Sequence, residues 1–147
     1  MSDILEVQQQ IIDEFRALGD WTERYKHIIR QGRNLDPLDE EYKVEENLVR
    51  GCQSQVWLHT RFEDGKVIFE ADSDAAITKG LVALMVRFYS DQEPETIINT
   101  SPDFIKKIGM EEHLSPTRSN GLASMVKQMK IYAMAYKTKQ EQEQAQA

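Results

Sequence analysis

Apolar residues recur at three- and four-residue spacing from the start of the chain: Ile4, Val7, Ile11, Phe15 and Leu18, with polar residues between them until Gly19. This spacing predicts one amphipathic helix. Asp20 and Glu23 have the separation of a capping box, and Trp21, Tyr25, Ile28 and Ile29 form a second helical stripe expected to end at Gly32. The short link makes the two helices neighbours. From Asp36 to Glu46 the pattern lapses into six acidic residues, Pro37 and a single lysine, which suits a solvated connection or a short irregular helix.

The period then changes to two. Val56, Leu58, Thr60 and Phe62 alternate with their neighbours, Asp64-Gly65 makes a two-residue turn, and Val67, Phe69 and Ala71 return on the same face. An isolated hairpin is marginally stable, so a third strand is expected, and Glu46 to Arg50 is the nearby candidate. Cys52 then falls in the loop between the first two strands. Ser73 or Asp74 is placed to cap the next helix, where Ile77, Leu81, Leu84, Met85 and Phe88 share a face and Gly80 marks a close neighbour. Pro94 and Pro102 stand at the first position of two short helices, the second closed by Gly109. A last long helix carries Leu122, Met125, Val126, Met129, Tyr132, Ala133 and Tyr136. Residues 1–137 read as one domain, and the polar residues 138–147 carry no apolar stripe and are expected to be a disordered tail.

Charge and composition narrow the function. A chain of 147 residues with a net charge of -7 is an acidic, single-domain globule and a poor generic partner for the phosphate backbone of nucleic acid. No apolar run approaches the ~20 residues that span a bilayer, and the N-terminus lacks a basic head followed by an apolar stretch, so a cytoplasmic protein with no membrane partner is expected. One cysteine excludes an internal disulfide, and His27, His59 and His113 are too scattered for a metal centre.

That single cysteine lies in "RGCQSQVWL", Arg50 to Leu58, beside a glycine and small polar residues instead of leucines. A working thiol needs access, with positive charge or donors nearby to favour the thiolate; Arg50, Gln53 and Ser54 offer these, and Gly51 offers backbone freedom. An inert core thiol remains the plainer alternative, and local spacing alone does not choose between them. Arg118 in "HLSPTRSNG" could pair with a partner carboxylate, raise the potential near the thiolate, or tie down its own loop. Asp74 in "DSDAA" reads as a helix cap whose position could control exposure of the cysteine loop. His59 and His113 read as surface or structural residues, Trp57, Phe62 and Phe69 as core or sheet residues, and the Met-rich last helix as packing.

Three stretches taken together are more specific: "GCQSQVW" at Gly51 to Trp57, "DSDAAITKGL" at Asp72 to Leu81, and "HLSPTRSNGL" at His113 to Leu122. With the "W-x-x-R-Y-x-x-I-I-x-x-G" pattern from Trp21 to Gly32, they resemble the SufE family of sulfur-acceptor proteins over nearly all of the chain except its polar tail. The resemblance implies an α+β fold, with several helices around a small antiparallel sheet of about three strands, shared with the IscU-like scaffold proteins of iron–sulfur assembly. It also implies a persulfide on Cys52, carried on an exposed loop. Sulfur would come from a cysteine desulfurase of the SufS type, where the pyridoxal phosphate resides, and pass to a scaffold complex of the SufBCD type. The chain itself would need no cofactor and no metal, and would have no independent turnover. Two alternatives share the resemblance: an acceptor serving another desulfurase pathway, and a regulatory module that binds the desulfurase without carrying sulfur. A persulfide must be shielded yet delivered, so a guarded Cys52 that swings outward on docking is expected.

Overall fold

The computed structural model describes residues 3–146. Helix α1 spans Ile4–Arg16 and α2 spans Trp21–Arg33. The Asp20 carboxylate accepts from the Glu23 N–H at 2.9 Å, which supplies the expected N-cap of α2. Ile4, Val7, Ile11 and Phe15 turn inward from α1 and Ile28 from α2. Strands β1 (Val56–Glu63) and β2 (Lys66–Ser73) pair antiparallel from Val56 opposite Ser73 to Glu63 opposite Lys66. The turn between them holds Asp64 and Gly65 at φ +53° and +78°, the left-handed pair that a tight two-residue hairpin requires.

Helix α3 (Ala76–Tyr89) crosses the buried face of the hairpin and is apolar on most sides, with Leu81, Val82, Leu84, Met85, Phe88 and Tyr89 all buried. Helices α4 (Pro94–Asn99), α5 (Phe104–Lys107) and α6 (Pro116–Gln146) complete the shell. Pro94 opens α4 as expected, whereas α5 begins two residues beyond Pro102, with Asp103 at its N-cap. Gly109, at φ +75°, ends that segment. Gly121, Met125, Met129 and Ala133 are the buried positions of α6, along which it lies on the core.

Four expectations are changed or made definite. The third strand is reduced to one bridge, Leu48 to Trp57, with the Val49 N–H donating to the Val56 carbonyl at 2.8 Å. Gly51, at φ +90°, then turns the chain before further pairing can form. On the opposite edge Gln92 bridges Val67, so two single contacts cap a two-stranded sheet. The acidic segment forms two 3₁₀ turns, Glu40–Tyr42 and Glu45–Asn47, laid over the outer face of the hairpin: Tyr42 stacks on His59, and Lys43 bridges to Asp72 at 3.1 Å. Helix α6 continues through the polar residues after Lys137, whose Lys, Gln, Glu and Ala content favours helix without any buried stripe.

Gly32 is the fourth. It lies inside α2 instead of ending it, because the glycine is needed for approach and not for termination. A Cβ on Gly32 would stand 2.8 Å from the Gly80 backbone nitrogen, and one on Gly80 would stand 2.1 Å from the Ile28 carbonyl oxygen. The two helices therefore touch backbone to backbone. Beside this contact the Arg87 guanidinium bridges to Glu14, which also meets His27 at 3.0 Å; hydrogen bonding from Arg87 holds the Glu14 carboxyl below its ordinary range. Gly80→Ala is expected to lower the unfolding free energy by about 3 kcal/mol or more, because backbone atoms cannot yield to the added methyl as a flexible side chain would. A denaturant midpoint within experimental error of the wild type would contradict the packing described.

Candidate functional site

Cys52 sits in a loop with both ends fixed, shortly after the chain leaves its bridge to β1. Upstream, Val49 is tied to Val56; downstream, the Asp74 carboxylate accepts from the Gln55 N–H at 3.0 Å while the Asp74 N–H donates to the Gln55 carbonyl at 3.3 Å. Asp74 is therefore not the cap of α3. Ala75 occupies the N-cap position without a side-chain bond, and Asp74 is turned toward the cysteine loop instead. Sequence reasoning identified the residue but assigned its carboxylate to the wrong backbone donor.

The thiol points inward. Cys52 is half-buried, and its Sγ lies 3.5 Å from the Gly121 carbonyl oxygen near the start of α6. A Cβ on Gly121 would come within 3.3 Å of that sulfur, and a Cβ on Gly51 within 2.6 Å of the Ser124 Oγ. Two glycines, one on each side, let the loop and α6 close on each other. Behind the sulfur is a pocket of about 50 Å³, walled by Val56 of β1, Leu81 and Val82 of α3, and Leu122 and Met125 of α6. That volume exceeds the ~10–15 Å³ that one water requires, so the cavity beside the thiol is of small-molecule-atom scale and not a substrate cleft.

This environment reverses one expectation about reactivity. Local sequence suggested stabilisation of the thiolate by Arg50 and neighbouring donors, but burial pushes the Cys52 thiol above its ordinary pKa. The charged form loses water and gains no cation, since the hydrogen-bond partner of the sulfur is a carbonyl oxygen. The resting group is a protonated thiol. Exposure of the loop is limited accordingly: Gly51 and Gln53 are exposed, while the sulfur between them is not fully so.

Arg118 lies in the first turns of α6 and lines the mouth of the same pocket. Its backbone N–H donates to the Ser115 Oγ at 3.2 Å, the N-terminal cap of the helix, while its guanidinium makes no hydrogen bond or ion pair among the described residues. It does not tie down the cysteine loop. Thr78 and Thr117 add hydroxyls to the lining; both lie within the quoted "DSDAAITKGL" and "HLSPTRSNGL" stretches, where motif reasoning gives neither a role of its own. His59 pairs with Glu70 and Tyr42 on the far face of the hairpin, and His113 stacks on Trp21, so neither histidine lines the pocket. No group of three or more His, Cys, Asp or Glu side chains converges on a metal-sized site among the described residues. No helix among them is long and apolar enough to cross a membrane.

Comparison with known proteins gives a consistent picture. Residues 9–133 match the family model described as SufE, the Fe-S metabolism associated domain. SufE-like protein 1, chloroplastic/mitochondrial, of Arabidopsis thaliana is 40% identical over 136 residues, which cover 92% of this chain but only 37% of that longer protein. An uncharacterized SufE-like protein of Rhizobium meliloti is 43% identical, with 84% of this chain and 92% of the relative covered. One from Synechocystis is 39% identical, with 86% and 80% covered. A hypothetical protein from Thermus thermophilus, solved in solution, superimposes with a TM-score of 0.75 over 90% of this chain and 96% of its own at 22% identity, which shows the shared α+β fold. With the family match spanning most of the chain and the relatives agreeing over nearly the same length, this protein belongs to the SufE family.

Proposed function

We propose that the protein accepts sulfur from a cysteine desulfurase onto Cys52 and carries it as a persulfide to an iron–sulfur scaffold complex. The observation that carries this reading is the lone thiol, held inward at the edge of a small pocket of mixed apolar and polar lining. Membership in a family associated with Fe-S metabolism supports the setting. A reducing compartment, the cytoplasm, keeps a single thiol free between transfers.

The chemistry balances without an external oxidant or reductant. The Cys52 thiolate attacks the outer sulfur of the desulfurase persulfide, the donor's S–S bond breaks, and the donor cysteine leaves as a thiolate. Cys52 now bears the sulfane sulfur, and attack by the next acceptor releases it in the same way. Neither pyridoxal phosphate nor a metal is needed on this chain; the pyridoxal phosphate chemistry that frees sulfur from cysteine belongs to the SufS-like donor. The SufBCD-like scaffold is the expected recipient.

Attack requires a thiolate, whereas burial favours the thiol, so reaction must follow opening of the loop. Asp74 holds the downstream end shut through Gln55, and Gly51 supplies the left-handed hinge at the other end. Arg118, with its guanidinium unpaired at the rim, is free to meet a carboxylate on the docking partner.

Mixing the protein with desulfurase and free cysteine is expected to add one reducible sulfur to Cys52, seen by mass spectrometry and absent from Cys52→Ser. Equal sulfur on that variant would sink the carrier reading. In the partner-free wild type, iodoacetamide labelling of Cys52 is expected to be about tenfold slower near neutral pH than that of an unstructured peptide thiol, with its rise displaced to higher pH because burial disfavours the charged form. Asp74→Ala should speed labelling about fivefold with little change in circular dichroism, as expected for loss of one backbone-to-carboxylate bond. Wild-type labelling at the peptide rate, with no response to Asp74→Ala, would remove the guarded loop.

A further inference from the structure

The pattern "W-x-x-R-Y" at Trp21 to Tyr25 has no role in the pocket just described, since none of its residues lines it. The structure nevertheless gives all three of its long side chains the same target. Trp21, Arg24 and Tyr25, spaced to share one face of α2, reach across to the segment between α5 and α6. Arg24 Nη1 donates to the Ile108 carbonyl at 3.0 Å. The Tyr25 hydroxyl donates to the His113 carbonyl, and the Trp21 ring stacks on the His113 imidazole with centroids 3.9 Å apart and planes inclined by 19°. The Arg24 guanidinium also lies 5.2 Å from the Trp21 ring centroid, while its buried Nε finds no partner among the described residues. Gly109 turns the chain beneath this group.

What the grip holds in place is the start of α6. His113 is the last residue of a 3₁₀ turn over Met110–His113; Leu114 and Ser115 follow, and Ser115 caps α6 through Arg118. The next turns supply Thr117, Arg118, Gly121 and Leu122 to the Cys52 pocket, including the carbonyl nearest the sulfur. Only Leu114 and Ser115 separate the Tyr25 contact at His113 from Pro116, the first residue of α6, whose fixed φ stiffens the joint. Only these two residues are left to absorb a displacement of the turn before it reaches the helix.

We propose that Trp21, Arg24 and Tyr25 are positioning residues for Cys52: they clamp the 108–113 turn, and through it set how closely the N-terminal turns of α6 cover the thiol. The inference deepens the sulfur-carrier reading and rests on it for its biological meaning, but the clamp itself concerns only the partner-free chain. Loosening it lifts Gly121 and Leu122 from the loop and exposes the sulfur, although no clamp residue touches it.

The test uses the full chain without desulfurase. Tyr25→Phe keeps the ring and removes only the bond to His113, and Arg24→Lys keeps the charge but loses the planar donor to Ile108. Both are expected to label with iodoacetamide about fivefold faster at Cys52 and to lose amide hydrogen-exchange protection in residues 117–122. Tyr89→Phe is the control, because it removes a hydroxyl-to-carbonyl bond of the same kind, 2.6 Å to Thr100, away from this route. It should lower the denaturation midpoint without changing either readout. Wild-type labelling and protection in both clamp variants, at a stability loss matching that of Tyr89→Phe, overturns the clamp. Sulfur uptake from desulfurase is measured separately: if the wild type takes up none while Tyr25→Phe still speeds labelling, the carrier reading falls and the clamp stands.

Discussion

The backbone contact between α2 and α3 is the constraint on which the rest of the architecture depends. With Gly32 facing Gly80, and Gly80 against the Ile28 carbonyl, the two helices approach more closely than side chains would allow. Helix α3 supplies Leu81 and Val82 to the floor of the cysteine pocket, and α2 presents Trp21, Arg24 and Tyr25 to the turn that launches its roof. Floor and roof are thus both referenced to one rigid pair. A methyl group at that contact would separate them, and a pocket of about 50 Å³ has little tolerance for such a change.

Within this frame the thiol faces two opposing demands. On the proposed carrier role, burial would protect a persulfide from stray thiols and oxidants, but the same desolvation raises the thiol pKa and disfavours the nucleophile. Which demand wins at rest is a matter of magnitude. In the proposed opening, the Asp74 contact with Gln55 and the sulfur contact with Gly121 are what must break, together on the order of 1–2 kcal/mol, a cost small enough to allow an open minority state. A partner needs only modest differential contact with the open loop to invert that ratio. A thiol held in its acid form at rest is therefore compatible with the proposed carrier role.

Periodic elements were legible in the sequence because their signal is local. The stripe of α1, the Asp20 cap, the Asp64-Gly65 hairpin and the apolar α3 all carry their spacing within one element. What failed to show is whatever depends on a distant residue. Gly32 reads as a helix end until Gly80, far along the chain, is seen to require its missing Cβ. Asp74 reads as a cap because caps are local, whereas its actual donor is Gln55 across the sheet edge. Leu48 makes a single bridge, too short to be told from a strand by alternation. Cys52 was legible as the lone thiol on a loop, but its half-burial, against Gly121 of a helix formed much later in sequence, was not.

Helix α6 joins these observations because its successive parts do different work along one rigid rod. Its first turns cover the sulfur, its middle buries Met125, Met129 and Ala133, and beyond these Tyr136 stacks on Phe62 and shares a hydrogen bond with Thr60 of β1. Lys130 meanwhile donates to the Ile98 carbonyl at the end of α4. Packing from the middle onward fixes the helix axis but leaves the N-terminal turns dependent on what precedes them, since the first four N–H groups of a helix lack intrahelical partners. Ser115 satisfies one of these, and the α2 side chains hold the turn before it. The part of α6 nearest the thiol thus follows directly on turns whose N–H groups depend on a cap and on the segment before it, which is where a change at the preceding turn would most directly alter access to Cys52.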